Sequence, residues 1–217
     1  MGAIMTTMSM STEGLSTGRL EAFSDGVFAI VVTLLILDIK VPIGANGHLA
    51  TELAGQWPQY LAYLVSFLIV GILWLNHHAT VALLARTNHT IHVLNLLLLL
   101  PVSTLPWPTA LLSQYAADGD PSDQRVAVLI YGITSSLMAV GFNLLWRYLL
   151  RHPELRRAGV TPESLRVRNT RYNIGLTVYP IATLLGLLSV PLFLFLMLAL
   201  AGLFLLPTPE LRGHPGG

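Results

Sequence analysis

The stretch Arg19–Lys40, RLEAFSDGVFAIVVTLLILDIK, leaves this chain few options. Its 22 positions make a helix of about 33 Å at a rise of about 1.5 Å per residue, which matches a hydrocarbon core of about 30 Å. The expected element is a transmembrane helix with a polar cluster, Phe23-Ser24-Asp25-Gly26, set into its first third. A carboxylate at that depth costs about 2.5 kcal/mol or more, so Asp25 requires a partner or a wet cavity and marks a candidate functional site.

The rest of the chain is of the same kind. It is 53% hydrophobic and 11% charged with a mean hydropathy of +0.66, where a soluble domain carries about 25% charged residues. Without cysteine there is no disulfide framework, thiolate metal site or sulfur nucleophile. We find no phosphate-binding loop, nucleophile elbow or paired catalytic carboxylates, so no catalytic residue, cofactor or nucleic-acid partner is expected and the chain does not read as an enzyme.

A loop with Pro42, Gly44 and Gly47 follows the first span. A second apolar segment runs from about Trp57 to Arg86 and carries Trp74-Leu75-Asn76-His77-His78. The third, about Asn88 to Tyr115, contains Pro101, Pro106 and Pro108, which predict a kink or partial unwinding. An acidic loop with Asp118, Asp120 and Asp123 leads to a fourth segment, about Arg125 to Leu150, and then to a basic loop ending near Arg171. The apolar stretch 172–206 is too long for one crossing and reads as two helices joined at Ser189-Val190-Pro191. The fold class is therefore an all-α integral membrane protein of six transmembrane helices over residues 19–206. A disordered N-terminal tail, 1–18, and a C-terminal tail, 207–217, flank it.

Charge placement agrees with that count. With both termini cytoplasmic, Arg19, Arg86, Arg147, Arg151, Arg156, Arg157, Arg166, Arg168, Arg171 and Arg212 all fall inside, against Lys40 and Arg125 outside. The arginines at and beyond the end of the fourth span lack the every-third-residue rhythm of a voltage sensor and read as topology signals and contacts to anionic membrane lipids. Asp38 and the acidic loop lie at the outer side, where they would concentrate cations or simply be solvated.

On the first helix, steps of three or four place Phe23, Gly26, Ile30, Thr33 and Leu37 on one stripe, with Asp25 about 120° away. From residue types alone, that stripe faces lipid or core and Thr33 bonds its own backbone; nothing in those residues by themselves makes a pore. Arg19, Ser24, Asp25, Trp74, His77 and Asn95 form a second constellation, a polar network tying three helices together or a gating element in which His77 senses protons. Asn88, His92 and Asn95 share one face of the third helix. His77, His78, His89 and His92 crowd one end of the second and third helices without a metal-site spacing, so no metal ligand is assigned. Thr177-Val178-Tyr179-Pro180 lacks the glycines of a TVGYG filter and reads as packing.

Arg19-x-x-x-Phe23-Ser24-Asp25, Asp38-Ile39-Lys40-Val41-Pro42, Trp74-x-x-His77-His78, Asn95-Leu96 and Pro106-Trp107-Pro108-Thr109 together resemble the transmembrane protein 175 family of lysosomal and prokaryotic potassium channels. The resemblance covers roughly residues 19–110. It implies a homotetramer without a TVGYG filter, its pore lined by the first helix at Ile30, Thr33 and Leu37, conducting potassium and other monovalent cations across a bacterial plasma membrane. Four copies of Ile30 would make a hydrophobic constriction and four Thr33 hydroxyls an oxygen ring. Two rival readings remain from the residues themselves: a proton-coupled secondary transporter using Asp25 and His77, and a membrane metal-binding protein using the histidines.

Overall fold

The polar cluster of the first span does not interrupt its helix. In the computed structural model, which describes residues 17–43, 46–116 and 119–205, α1 runs over Thr17–Leu34 and continues as a tighter 3₁₀ turn over Leu35–Asp38. Ser24 donates its hydroxyl proton to the Leu20 carbonyl at 2.8 Å and Thr33 to that of Ile30 at 2.8 Å, so both are satisfied on their own helix. Thr17 and Gly18, read as tail, open this helix. The remainder of both tails, Gly44, Asp118 and Arg212 lie outside the described residues.

The loop expected after the first span contains a short helix, α2, Leu49–Gly55. Next come α3, Trp57–Val81; α4, His89–Thr104; α5, Pro106–Tyr115; α6, Pro121–Arg151; α7, Pro162–Gly186; and α8, Val190–Leu205. The proline-rich third segment breaks at Leu105, where Pro106 opens α5 at a position that needs no backbone donor. The basic loop is shorter than its charge predicts. Thr161 caps α7 through the Ser164 N–H, and Pro162 starts the helix ten residues ahead of the apolar stretch. Asp120 opens α6 by accepting from the Ser122 hydroxyl at 2.6 Å and N–H at 2.8 Å, and these bonds hold its pKa below the ordinary carboxylate value.

Among the described residues four helical stretches are long and apolar enough to cross a membrane: Thr17–Asp38, Trp57–Val81, His89–Tyr115 and Pro121–Arg151. In α7 the first turns carry Arg166, Arg168 and Arg171, and α8 is a shorter apolar helix. The helix α6 is the central post, with 61% of its most apolar window buried, whereas the figure for the first helix is 28%. The first helix therefore keeps a largely open face.

Aromatic rings fill the interior around α6. Phe142 and Trp146 both meet Tyr172 of α7 edge-on, at 4.6 and 4.8 Å between ring centres, and Tyr131 meets Phe193 of α8 in the same way. At Gly141 the backbones of α4 and α6 touch: a Cβ there would lie 2.9 Å from the Leu98 Cα. Backbone cannot rotate aside as a side chain can. Gly141→Ala should lower the melting temperature in detergent, at a cost of about 1–3 kcal/mol, and Gly141→Leu should abolish monodisperse protein on size exclusion.

The proline break is tied down by a directed chain of hydroxyls. Thr109 donates to the Leu105 carbonyl at 2.9 Å, so the Ser66 hydroxyl must donate to Thr109, and Tyr131 in turn to Ser66, each at 2.8 Å. Ser66→Ala strands the Tyr131 hydroxyl in the core and should cost about 1–3 kcal/mol. Ser66→Ala combined with Tyr131→Phe should cost less than the two single changes summed, as thermal melts will report.

At one end of the bundle the α3–α4 connection pairs with the stretch after α6. Leu84 and Arg156 form an antiparallel bridge, with Ala85 N–H donating to Leu155 and Arg157 N–H to Leu83, both at 2.8 Å. Arginines finish the helix ends here: Arg168 donates to the Ala79 carbonyl, Arg156 to Leu150, Arg157 to Leu84 and Arg86 to Glu154.

Candidate functional site

Helix α1 has two faces of opposite character. Leu20, Ser24, Phe28, Val31 and Leu35, at steps of four, four, three and four, are buried against α3 and α4. Phe23, Ile30 and Leu37 are 55, 60 and 64% exposed, and Gly26 and Thr33 share their open face.

The buried face carries a polar relay with only one self-consistent proton arrangement. Ser24 spends its proton on Leu20, so towards Asn95 it can only accept, and the Asn95 Nδ2 donates to it at 2.9 Å. That turns the Asn95 Oδ1 to His77, 2.8 Å from Nε2, which must carry the hydrogen. Neutral His77 is therefore the Nε2–H tautomer, leaving Nδ1 a bare acceptor, buried and without a partner among the described residues. Phe28 packs against the imidazole at 5.5 Å between ring centres. Three helices are joined in this way where water is scarce.

A second set of contacts lies beside the relay. Asp25 accepts from the Trp74 indole N–H at 2.8 Å, and one turn nearer the basic end Glu21 pairs with His78, 2.8 Å from Oε1 to Nδ1. The two pairs form rungs between α1 and α3. The Glu21–His78 rung escaped sequence reasoning, although its signal was there: Glu21 and Asp25 are four apart, as are Trp74 and His78, so antiparallel helices bring both pairs into register. Asp25 also borders an apolar groove of about 570 Å³ between α1 and α3, lined by Phe28, Val32, Phe67, Gly71 and Trp74.

The other expected residues fall outside this cluster. Arg19 is exposed and takes no part in the relay. Of the face Asn88, His92 and Asn95, only Asn95 enters it: Asn88 caps α4 through the Ile91 N–H and reaches the Tyr148 hydroxyl, while His92 pairs with Thr87. Asp38 ends the 3₁₀ turn at the far end of α1, half-buried, with Oδ2 unpartnered among the described residues. The Lys40 N–H beside it donates to Gln59.

Comparison with known proteins gives this geometry a context. The family model for the endosomal/lysosomal potassium channel TMEM175 matches residues 19–106, the part that holds the α1 stripe, the relay and the rungs. A potassium channel of Streptomyces collinus is 44% identical over 179 residues, covering 82% of this chain and 86% of that one. The chain belongs to the TMEM175 family. A potassium channel of Chamaesiphon minutus is 39% identical over 181 residues, covering 82% of this chain and 88% of its own. The crystal structure of a lysosomal potassium-selective TMEM175 homolog from the same organism superposes with a TM-score of 0.75 at 38% identity, over 90% of this chain and 97% of that one. The human endosomal/lysosomal proton channel TMEM175 is 37% identical over 150 residues, which span 64% of this chain and 29% of the human protein. TMEM175 is a family of multi-pass membrane channels, not of enzymes.

Proposed function

We propose that this chain is a potassium-permeable cation channel in which four copies surround a pore lined by α1. The observation that carries this reading is the division of α1 into a face bonded to its own subunit and an open stripe, Gly26, Ile30, Thr33 and Leu37, left for something else. One copy of one helix cannot enclose an ion path, whereas copies about a rotation axis can. On that axis Ile30 makes the constriction and Thr33 the adjacent oxygen ring. Thr33 gives its proton to the Ile30 carbonyl, so its lone pairs remain available to a partly dehydrated cation. Asp38 stands at the outer mouth, and the relay with the Asp25–Trp74 rung holds each pore helix at a set rotation.

The chain crosses the bacterial plasma membrane six times, α7 and α8 included, with both termini in the cytoplasm. The support is the charge distribution: the end bearing Arg86, Arg147, Arg151, Arg156, Arg157, Arg166 and Arg168 faces inward, and Lys40 and Arg125 face outward. Proton permeation is the second reading, favoured by the bare His77 Nδ1 beside the α1–α3 rungs.

Single-channel recording in planar bilayers with opposed potassium and sodium chloride tests the first reading. Discrete steps reversing toward the potassium potential are expected; carrier-like saturable flux without steps would sink it, and reversal that follows a pH gradient would favour protons. Thr33→Ala should move the potassium-to-sodium permeability ratio several-fold with the conductance steps retained.

A further inference from the structure

Helix α6 keeps one open apolar face of its own. Val126, Leu129, Ile133, Leu137, Val140 and Leu144 are each between 42 and 53% exposed and recur every three or four residues, which makes a single stripe. It rises about 27 Å, close to the thickness of a hydrocarbon core. The next two positions in the same register are Arg147 and Arg151, both exposed and one turn apart. Unlike Arg156, Arg157 and Arg168, neither donates to a main-chain carbonyl among the described residues. Nor does either form an ion pair with a carboxylate among the described residues, exposed Glu154, the next acid along the chain, included.

We propose that this face binds an anionic phospholipid, with its phosphate held between Arg147 and Arg151 and an acyl chain lying along Leu144, Val140 and Leu137. Two guanidinium forks one turn apart suit a phosphodiester, and the level at which they stand, at the end of a membrane-length apolar stripe, is where a headgroup lies. A soluble anion would use the arginines and leave the stripe unexplained. A second copy seated here about an axis along the membrane normal would bring the two basic ends together, like charge against like. The proposal rests on the chain being a membrane protein and not on the permeation reading.

Native mass spectrometry of the purified full-length protein, wild type and R147Q/R151Q, with palmitoyl-oleoyl phosphatidylglycerol or phosphatidylcholine, tests it without any current being measured. We expect the wild type to retain phosphatidylglycerol at about one-tenth of the concentration needed for phosphatidylcholine, and the double variant to lose that preference. R147K/R151K should fall between, keeping charge without the planar fork. Equal preference in wild type and R147Q/R151Q overturns the proposal, as does displacement of the lipid by millimolar inorganic phosphate, which would make the site one for a soluble anion. A change in subunit number with lipid retention unaltered would assign the face to a second copy and equally overturn it. Should the variant not fold, the wild type alone decides. Phosphatidylglycerol should raise its melting temperature above that in phosphatidylcholine, and high salt should erase the difference; a difference that ignores salt rejects the arginines.

Discussion

Ile30→Asn should raise unitary conductance several-fold and weaken selectivity for potassium over sodium. In the proposed pore, four isoleucine side chains around an axis would exclude water, and a cation passing them would lose hydration that nothing replaces. Each 1.4 kcal/mol or so removed from such a barrier is a tenfold gain in rate, so even partial wetting by four amides is a large effect. Ile133→Asn is the control, since it makes the same chemical change on the open face of α6. Planar-bilayer recording should show a larger step for Ile30→Asn and an unchanged one for Ile133→Asn. Identical currents in both would remove Ile30 from the conduction path.

Asn95→Leu should loosen α1 from its own subunit. The change strands the buried His77 Nε2–H and removes the side-chain bond between α4 and α1 at Ser24, for a loss of about 1–3 kcal/mol per unsatisfied group. Thermal melting should fall, and hydrogen exchange should quicken in α1 before it does in α6. Ser24→Ala acts differently. Once Ser24 no longer dictates which way the amide points, Asn95 can flip and offer His77 a donor, so the imidazole should sample the Nδ1–H form as well. Nitrogen-15 shifts of the His77 ring will read that directly, and an unchanged single tautomer would contradict the directed relay.

The membership of the relay and of the Asp25–Trp74 rung was legible in the sequence, because an isolated polar residue in a membrane span must find a partner inside the protein. Ser24, Asp25, Trp74, His77 and Asn95 are such residues and bridge helices, whereas Arg19, expected among them, is exposed and stays out of the cluster. Which residue would meet which was not legible. Asp25 takes Trp74 rather than His77, since that choice depends on the rotation of α1 against α3, which the buried Leu20, Phe28, Val31 and Leu35 set collectively. Asn88 and His92 looked like equal members of the stripe, but a residue just before a helix is better employed as its cap. The start of α7 was hidden by arginines that resemble a loop, although Thr161-Pro162-Glu163-Ser164 is an ordinary helix opening. The short α2 has too few residues for a periodic pattern to emerge. The proposed pore stripe belongs to another category: a face that would acquire its role only among copies has no partner within one chain to betray it.

The bridge between Leu84 and Arg156 has a mechanical meaning. It staples the connection between α3 and α4 to the one between α6 and α7, and the Arg86 and Arg157 side chains cross the same seam. These four helices thus end in a stiff collar. Helix α1 is outside it, held at that level by two rungs and a relay of small groups, each individually weak. A pull on the collar is shared by four rods, whereas a pull on α1 is resisted by its packing through Leu20, Phe28, Val31 and Leu35 and by a few hydrogen bonds. In the proposed tetramer that would make α1 the rod with the fewest ties to the collar, the one whose displacement would alter the bore while the collar keeps its shape.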